Sequence, residues 1–117
     1  MARILAIDDD AVTRATIRTF LEWKGHEVME APDGEAGLKL QHECPPDVII
    51  TDLAMPKLDG IGIIVRVRRE HPTIGIVVIS GKGSYYLSKA RLLGADKTLS
   101  KPFRLQELLE AVEELIS

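Results

Sequence analysis

Apolar and β-branched residues gather in five short runs along this chain, at 3–7, 27–31, 47–51, 74–79 and 97–100. The first, third and fourth contain nearly unbroken apolar stretches (ILAI, VIIT, IGIVVI), the pattern of parallel strands covered on both faces. Between the runs, apolar positions recur with a period near 3.6. Residues 11–24 place Val12, Ala15, Ile17, Phe20 and Leu21 around one stripe and stop at Gly25, a residue suited to a helix C-terminus. Asp33 can cap a helix over 34–43, and Pro45-Pro46 prevents its continuation. Residues 60–70 carry Ile61, Ile64, Val65 and Val67 before Pro72, and 84–93 ends at Gly94. The last helix, 103–116, follows Pro102 with Leu105, Leu108, Leu109, Val112 and Leu115 on one side.

Five strand–helix units with short connections force right-handed crossovers and a parallel sheet flanked by helices. The pattern predicts one doubly wound α/β domain, without linker, repeat or low-complexity segment. A length of 117 residues fits a single domain with one substantial core. A net charge of −3 gives no reason to expect direct nucleic-acid binding. The one cysteine, Cys44, excludes an internal disulfide, suits a reducing cytosol and reads as an inert small apolar residue. No apolar stretch reaches the roughly 18 residues that span a bilayer, and Met1 leads into a strand rather than a signal segment. The expectation is a cytoplasmic protein without membrane contact.

In open α/β sheets, sites form beyond the carboxyl ends of the strands. The first strand runs into Asp8-Asp9-Asp10, the third into Asp52, the fourth into Ser80-Gly81 and the fifth into Lys101-Pro102. With these strands as neighbours, a carboxylate cluster, a hydroxyl and a lysine share one crevice. Clustered carboxylates repel one another, so they hold a proton or bind a cation. Oxygen donors with room for water suit Mg²⁺. A lysine and a hydroxyl opposite that ion complete a cradle for a phosphoryl group. Asp52 is then the best nucleophile, since aspartate can form an acyl phosphate, with Ser80 and Lys101 neutralising charge on the transferring group.

The motifs ILAIDDD, TDLAMPKLDG, VVIS and SKPF, in this order and at strand ends, resemble those of the response-regulator receiver domains of two-component signalling. The resemblance covers essentially the whole chain, as a single receiver domain over 1–117. It implies a flavodoxin-like (βα)5 sheet of order 2-1-3-4-5, with Asp52 as phospho-acceptor. It further implies Mg²⁺ held by Asp9, Asp52 and the main-chain carbonyl of Ala54, Asp8 acting largely through water, and a cis bond between Lys101 and Pro102. The implied donor is a phosphohistidine on a sensor histidine kinase or histidine phosphotransfer protein. The implied readout is a downstream effector docking on the fourth helix, fifth strand and fifth helix. Such a domain is a signalling switch rather than an enzyme, although it assists its own phosphorylation and dephosphorylation.

Other readings compete residue by residue. DDDAV also fits the start of haloacid-dehalogenase-like phosphatases, with Asp8 as nucleophile and Asp10 as acid/base. Those enzymes need further acidic ligands after the lysine, where this chain has only one amphipathic helix. A receiver-like interaction module that is never phosphorylated typically loses one of the acidic, hydroxyl or lysine positions, and none is lost. The first strand–helix loop lacks a glycine-rich phosphate cradle, against a flavin or nucleotide site. Asp10 reads as the cap of the first helix, and Asp59-Gly60 as a turn or cap. His26, His42 and His71 are scattered without ligand spacing and read as surface or incidental residues. Trp23 is expected to pack at the end of the first helix, and Glu110, Glu113 and Glu114 to form a solvated face. Two departures from the common receiver pattern stand out. Position 98, usually aromatic, is a threonine, and GKGSYY places Tyr85 and Tyr86 beside glycines that allow movement.

Overall fold

The computed structural model describes residues 1–55, 58–81 and 84–116. Strands and helices alternate: β1 (Arg3–Ile7), α1 (Ala11–Trp23), β2 (Glu27–Ala31), α2 (Gly34–Glu43), β3 (Val48–Asp52), α3 (Gly60–Glu70), β4 (Gly75–Ser80), α4 (Ser84–Leu93), β5 (Lys97–Ser100) and α5 (Leu105–Ile116). All strand pairs are parallel, and the order is β2-β1-β3-β4-β5, as expected.

Strand side chains alternate between the sheet's faces, and each face has its own core. Ile4, Ala6, Val48, Ile50, Val77 and Ile79 pack with Ile17 and Leu21 of α1 and Leu108 and Val112 of α5. Leu5, Ile7, Ile49, Ile76 and Val78 pack with Ile63, Ile64 and Val67 of α3 and Leu87 and Ala90 of α4. The continuous apolar runs are therefore two interleaved sets, one for each layer.

Several boundaries and packing expectations need correction. β3 and β4 each sit one residue later than expected, so Asp52 and Ser80 are the last strand residues rather than the first loop residues. α1 ends one residue early, at Trp23, and α5 starts at Leu105 rather than residue 103. Gly25 does take the left-handed conformation, with φ +94°. Trp23 is 78% exposed. It lies two positions beyond the buried Leu21, about 200° around the helix, and the Lys24 ammonium sits 4.7 Å from its ring centroid. Val12 and Ala15 also face outward, Val12 lining an open groove with Thr16, Pro102 and Phe103. Val65, too, is exposed.

His26 is buried, not at the surface. The Ala2 N–H donates to its Nδ1 at 3.2 Å, and Glu113 lies 3.9 Å from Nε2. It sits between helix and strand, where no periodic pattern marks burial. The acidic face of α5 is exposed as expected, with Glu114 paired to Lys97 at 2.8 Å.

Candidate functional site

The strand register sets the site. Ile7 pairs with Thr51, so Asp8 and Asp52 leave the sheet side by side. Asp52 pairs with Ile79, immediately before Ser80. Ser80 pairs with Ser100, immediately before Lys101. Neighbouring strands lie about 4.8 Å apart, so this register alone delivers the four groups to one edge.

Carboxylate oxygens of Asp8, Asp9 and Asp52 lie within 4.8 Å of one another. Asp8, Asp52 and Ser80 are buried, whereas Asp9 is exposed. Lys101 reaches in from the end of β5: its Nζ donates to Asp52 Oδ2 at 3.0 Å and lies 3.8 Å from Asp8 Oδ2. The Lys101–Pro102 bond is cis.

Local structure holds these groups in place. The Asp10 N–H donates to Asp8 Oδ1 at 2.9 Å, while Arg14 Nη1 donates to the Asp8 carbonyl at 2.6 Å. Asp10 caps α1 by accepting from the Val12 N–H, so it is occupied structurally. Asp59 caps α3 by accepting from the Gly62 N–H at 3.0 Å. Gly60 has a further role that a turn reading missed. A Cβ there would stand 2.7 Å from the Asp52 carbonyl oxygen and 2.9 Å from Leu53 Cα, so only glycine lets α3 start this close to the acidic strand end. Arg14 leaves no mark in the sequence pattern, because one basic residue on a helix carries no positional signal.

Burial raises the Asp8 carboxyl above the ordinary aspartate range. The Asp10 N–H opposes that rise, the Asp52 charge adds to it, Lys101 opposes it and Asp9 adds to it. Burial alone would lower Lys101, but the hydrogen bond and charge of Asp52, with the charges of Asp8 and Asp10, raise it overall. Lys101 is therefore a fixed cation at neutral pH. Three carboxylates against one ammonium leave a formal −2, the complement of a divalent cation. Only oxygen donors are present, and Asp9 is open to water, so the set fits Mg²⁺ better than a borderline metal.

Elsewhere, Thr98 pairs with Val78 in the β4–β5 ladder and is half-buried. Tyr85 is 72% exposed and meets Tyr86 edge to face, with centroids 5.3 Å apart. Tyr86 lines a cleft with Leu53, Ala54 and Asp59 of the loop that follows Asp52. Lys82 and Gly83, on which the expected mobility of the segment leading into α4 rests, lie outside the described residues. His42 and His71 are not scattered in space: with Glu70 they meet at the opposite end of the domain, because α2 and α3 end side by side there.

A five-stranded parallel sheet of this order, with acids, a hydroxyl and a lysine at its carboxyl edge, defines a class of signalling domain. The response regulator receiver domain profile matches residues 4–113, and the chain belongs to that family. It is 36% identical over 115 residues to Response regulator MprA of Mycobacterium leprae, a match covering 97% of this chain and 50% of that protein. The chain thus spans about half the length of the curated relatives it matches. A response regulator receiver domain protein from Clostridium thermocellum superposes with a TM-score of 0.93 at 34% identity, covering 99% of this chain and 94% of that one. Vibrio cholerae chemotaxis protein CheY4 superposes with a TM-score of 0.91 at 30% identity, covering 98% of each chain. The chain thus carries a receiver domain of two-component systems, a family of signalling switches.

Proposed function

We propose that residues 1–117 act as one receiver domain that accepts a phosphoryl group on Asp52. The observation that carries this reading is the contact of Lys101 Nζ with Asp52 Oδ2 at 3.0 Å, beside carboxylates within 4.8 Å of one another. A carboxylate oxygen of Asp52 attacks the phosphorus of a phosphohistidine. The new P–O bond forms as the P–N bond breaks, and the departing imidazole takes up a proton. Lys101 supplies positive charge to a phosphoryl oxygen, and the Ser80 hydroxyl donates to another. Asp8 and Asp9, with Asp52 and the Ala54 carbonyl, would hold Mg²⁺, which supplies further charge neutralisation on the transferring group when bound.

The donor is a sensor histidine kinase or histidine phosphotransfer protein, and the domain works in the cytoplasm. Its readout is the α4–β5–α5 face, where a downstream effector docks. Among the described residues, no helix is long and apolar enough to cross a membrane.

Intact-mass and Phos-tag measurements with acetyl phosphate and Mg²⁺ test the acceptor. The expected result is one phosphoryl adduct, dependent on Mg²⁺ and absent in Asp52→Asn. An adduct mapped to Asp8 would instead support phosphatase-like chemistry with Asp8 as nucleophile.

A further inference from the structure

His42, Glu70 and His71 each present a ligand atom, and the three atoms lie within 4.8 Å of one another. His42 sits in the last turn of α2, and its Nδ1 is 3.6 Å from Glu70 Oε2. Glu70 ends α3, and His71 is its C-cap, held by its own N–H donating to the Val67 carbonyl at 2.7 Å. Both helices are followed by prolines, Pro45 and Pro72, so backbone positions that fix where the three side chains start are set by helix termination rather than by a free loop.

We propose that these residues form a second metal site, for a borderline transition cation of the zinc class. Two imidazoles and a carboxylate are a donor set such ions accept, with water completing the shell. Tetrahedral zinc with bonds of about 2.0–2.1 Å places its ligand atoms roughly 3.3–3.4 Å apart. The His42–Glu70 pair is already near that separation. The rest requires side-chain rotation of about 1.4 Å or less, which is cheap for His42 and Glu70, whose side chains are 73% and 42% exposed. The donor chemistry also separates this site from the acidic cluster. Oxygen donors there favour Mg²⁺, whereas imidazoles here favour zinc.

The two sites stand at opposite edges of the sheet. α2 and α3 end where β3 and β4 begin, whereas Asp8 and Asp52 lie at strand carboxyl ends. Strands this long separate the edges by roughly 15 Å. A cation at His42, Glu70 and His71 would tie the C-terminal ends of α2 and α3 together without touching the phosphorylation chemistry. Neighbouring charges temper its affinity: Lys39 and Arg66 line the adjoining cleft and repel a cation, while Glu43 there attracts it.

Isothermal titration of the full chain with Zn²⁺ in excess Mg²⁺ tests the site, alongside His42→Ala, His71→Ala and an Asp8→Asn/Asp9→Asn double variant. The expected result is one Zn²⁺ per monomer, affinity lowered about tenfold or more by either histidine change, and little effect of the double variant. Histidine-ring NMR signals of His42 and His71 should shift on titration while those of His26 stay in place. Three outcomes overturn the proposal: no saturable binding, binding that the double variant alone abolishes, or zinc taken up only between two copies in sedimentation analysis.

Discussion

Replacing Asp8 with asparagine should stabilise the metal-free domain at neutral pH. Asp9 and Asp52 oxygens lie at most 4.8 Å from an Asp8 oxygen. At an effective dielectric constant of about 20, each such pair costs about 3.5 kcal/mol. Lys101 at 3.8 Å returns about 4.4 kcal/mol on the same scale. The net repulsion of about 2.5 kcal/mol shrinks toward 1–2 kcal/mol because Asp9 is exposed and screened. Asparagine keeps an acceptor for the Asp10 N–H, so little else is lost. The sign follows from linkage. The folded state holds the Asp8 proton more tightly than the unfolded chain, so between the ordinary value of 3.8 and the raised one it binds more protons. Wild-type stability therefore falls as pH rises through that window, and Asp8→Asn escapes the loss. Urea unfolding in EDTA should show the variants converging below about pH 3.8 and Asp8→Asn more stable by about 1–2 kcal/mol at pH 7. Added Mg²⁺ should narrow or reverse the difference, because wild type gains more from the ion. An Asp8→Asn domain less stable than wild type at pH 7 without Mg²⁺ would refute the electrostatic reasoning.

Lys101→Ala should still accept a phosphoryl group but lose most of the phosphorylation-linked amide shifts on α4 and β5; wild-type shifts in the variant would remove Lys101 from the coupling. Gly60→Ala forces a methyl against the Asp52 carbonyl and should cost about 1–3 kcal/mol in urea unfolding while slowing phosphorylation by acetyl phosphate. Leucine at both Tyr85 and Tyr86 should weaken effector binding by the beryllofluoride-activated domain, measured by titration calorimetry. Thr98→Ala should change that binding little; the reverse pattern would place the readout at residue 98.

Much of this fold was legible because its signals are long and repeated. Alternating apolar runs and 3.6-residue stripes specify ten elements before any contact is known. The strand ends were harder to read. Asp52 and Ser80 look like loop residues because they are polar, yet the backbone ladder continues through them and does not register side-chain polarity. Positions set by tertiary contacts or by rotation about a helix were the hardest to read. His26 is buried by the Ala2 N–H, and Trp23 is exposed by a rotation of two helix positions. Arg68 of α3 bonds the Gly94 and Ile74 carbonyls and Asp96, partners that no periodic pattern marks. His42 and His71 are 29 positions apart in sequence and meet only because parallel strands return α2 and α3 side by side.

The acidic edge and the tyrosine cleft share one segment, which gives the switch a physical route. Lys101 is held by Asp52, and Asp8 by the Asp10 N–H. On the proposed function, phosphorylation of Asp52 would remove the carboxylate partner and offer Lys101 a more highly charged one, a few atoms further from β3. The Ser80 hydroxyl would gain a charge-assisted bond of about 1.5–3 kcal/mol by turning toward the same group. Both movements draw on the ends of β4 and β5. Thr98, short and β-branched, sweeps little volume when that edge moves. Tyr86 is larger and already lines the cleft formed by Leu53, Ala54 and Asp59, so a shift of the loop after Asp52 changes what its ring can bury. In this chain the side chain best placed to convert charge at Asp52 into a change of surface shape is therefore on α4, not on β5.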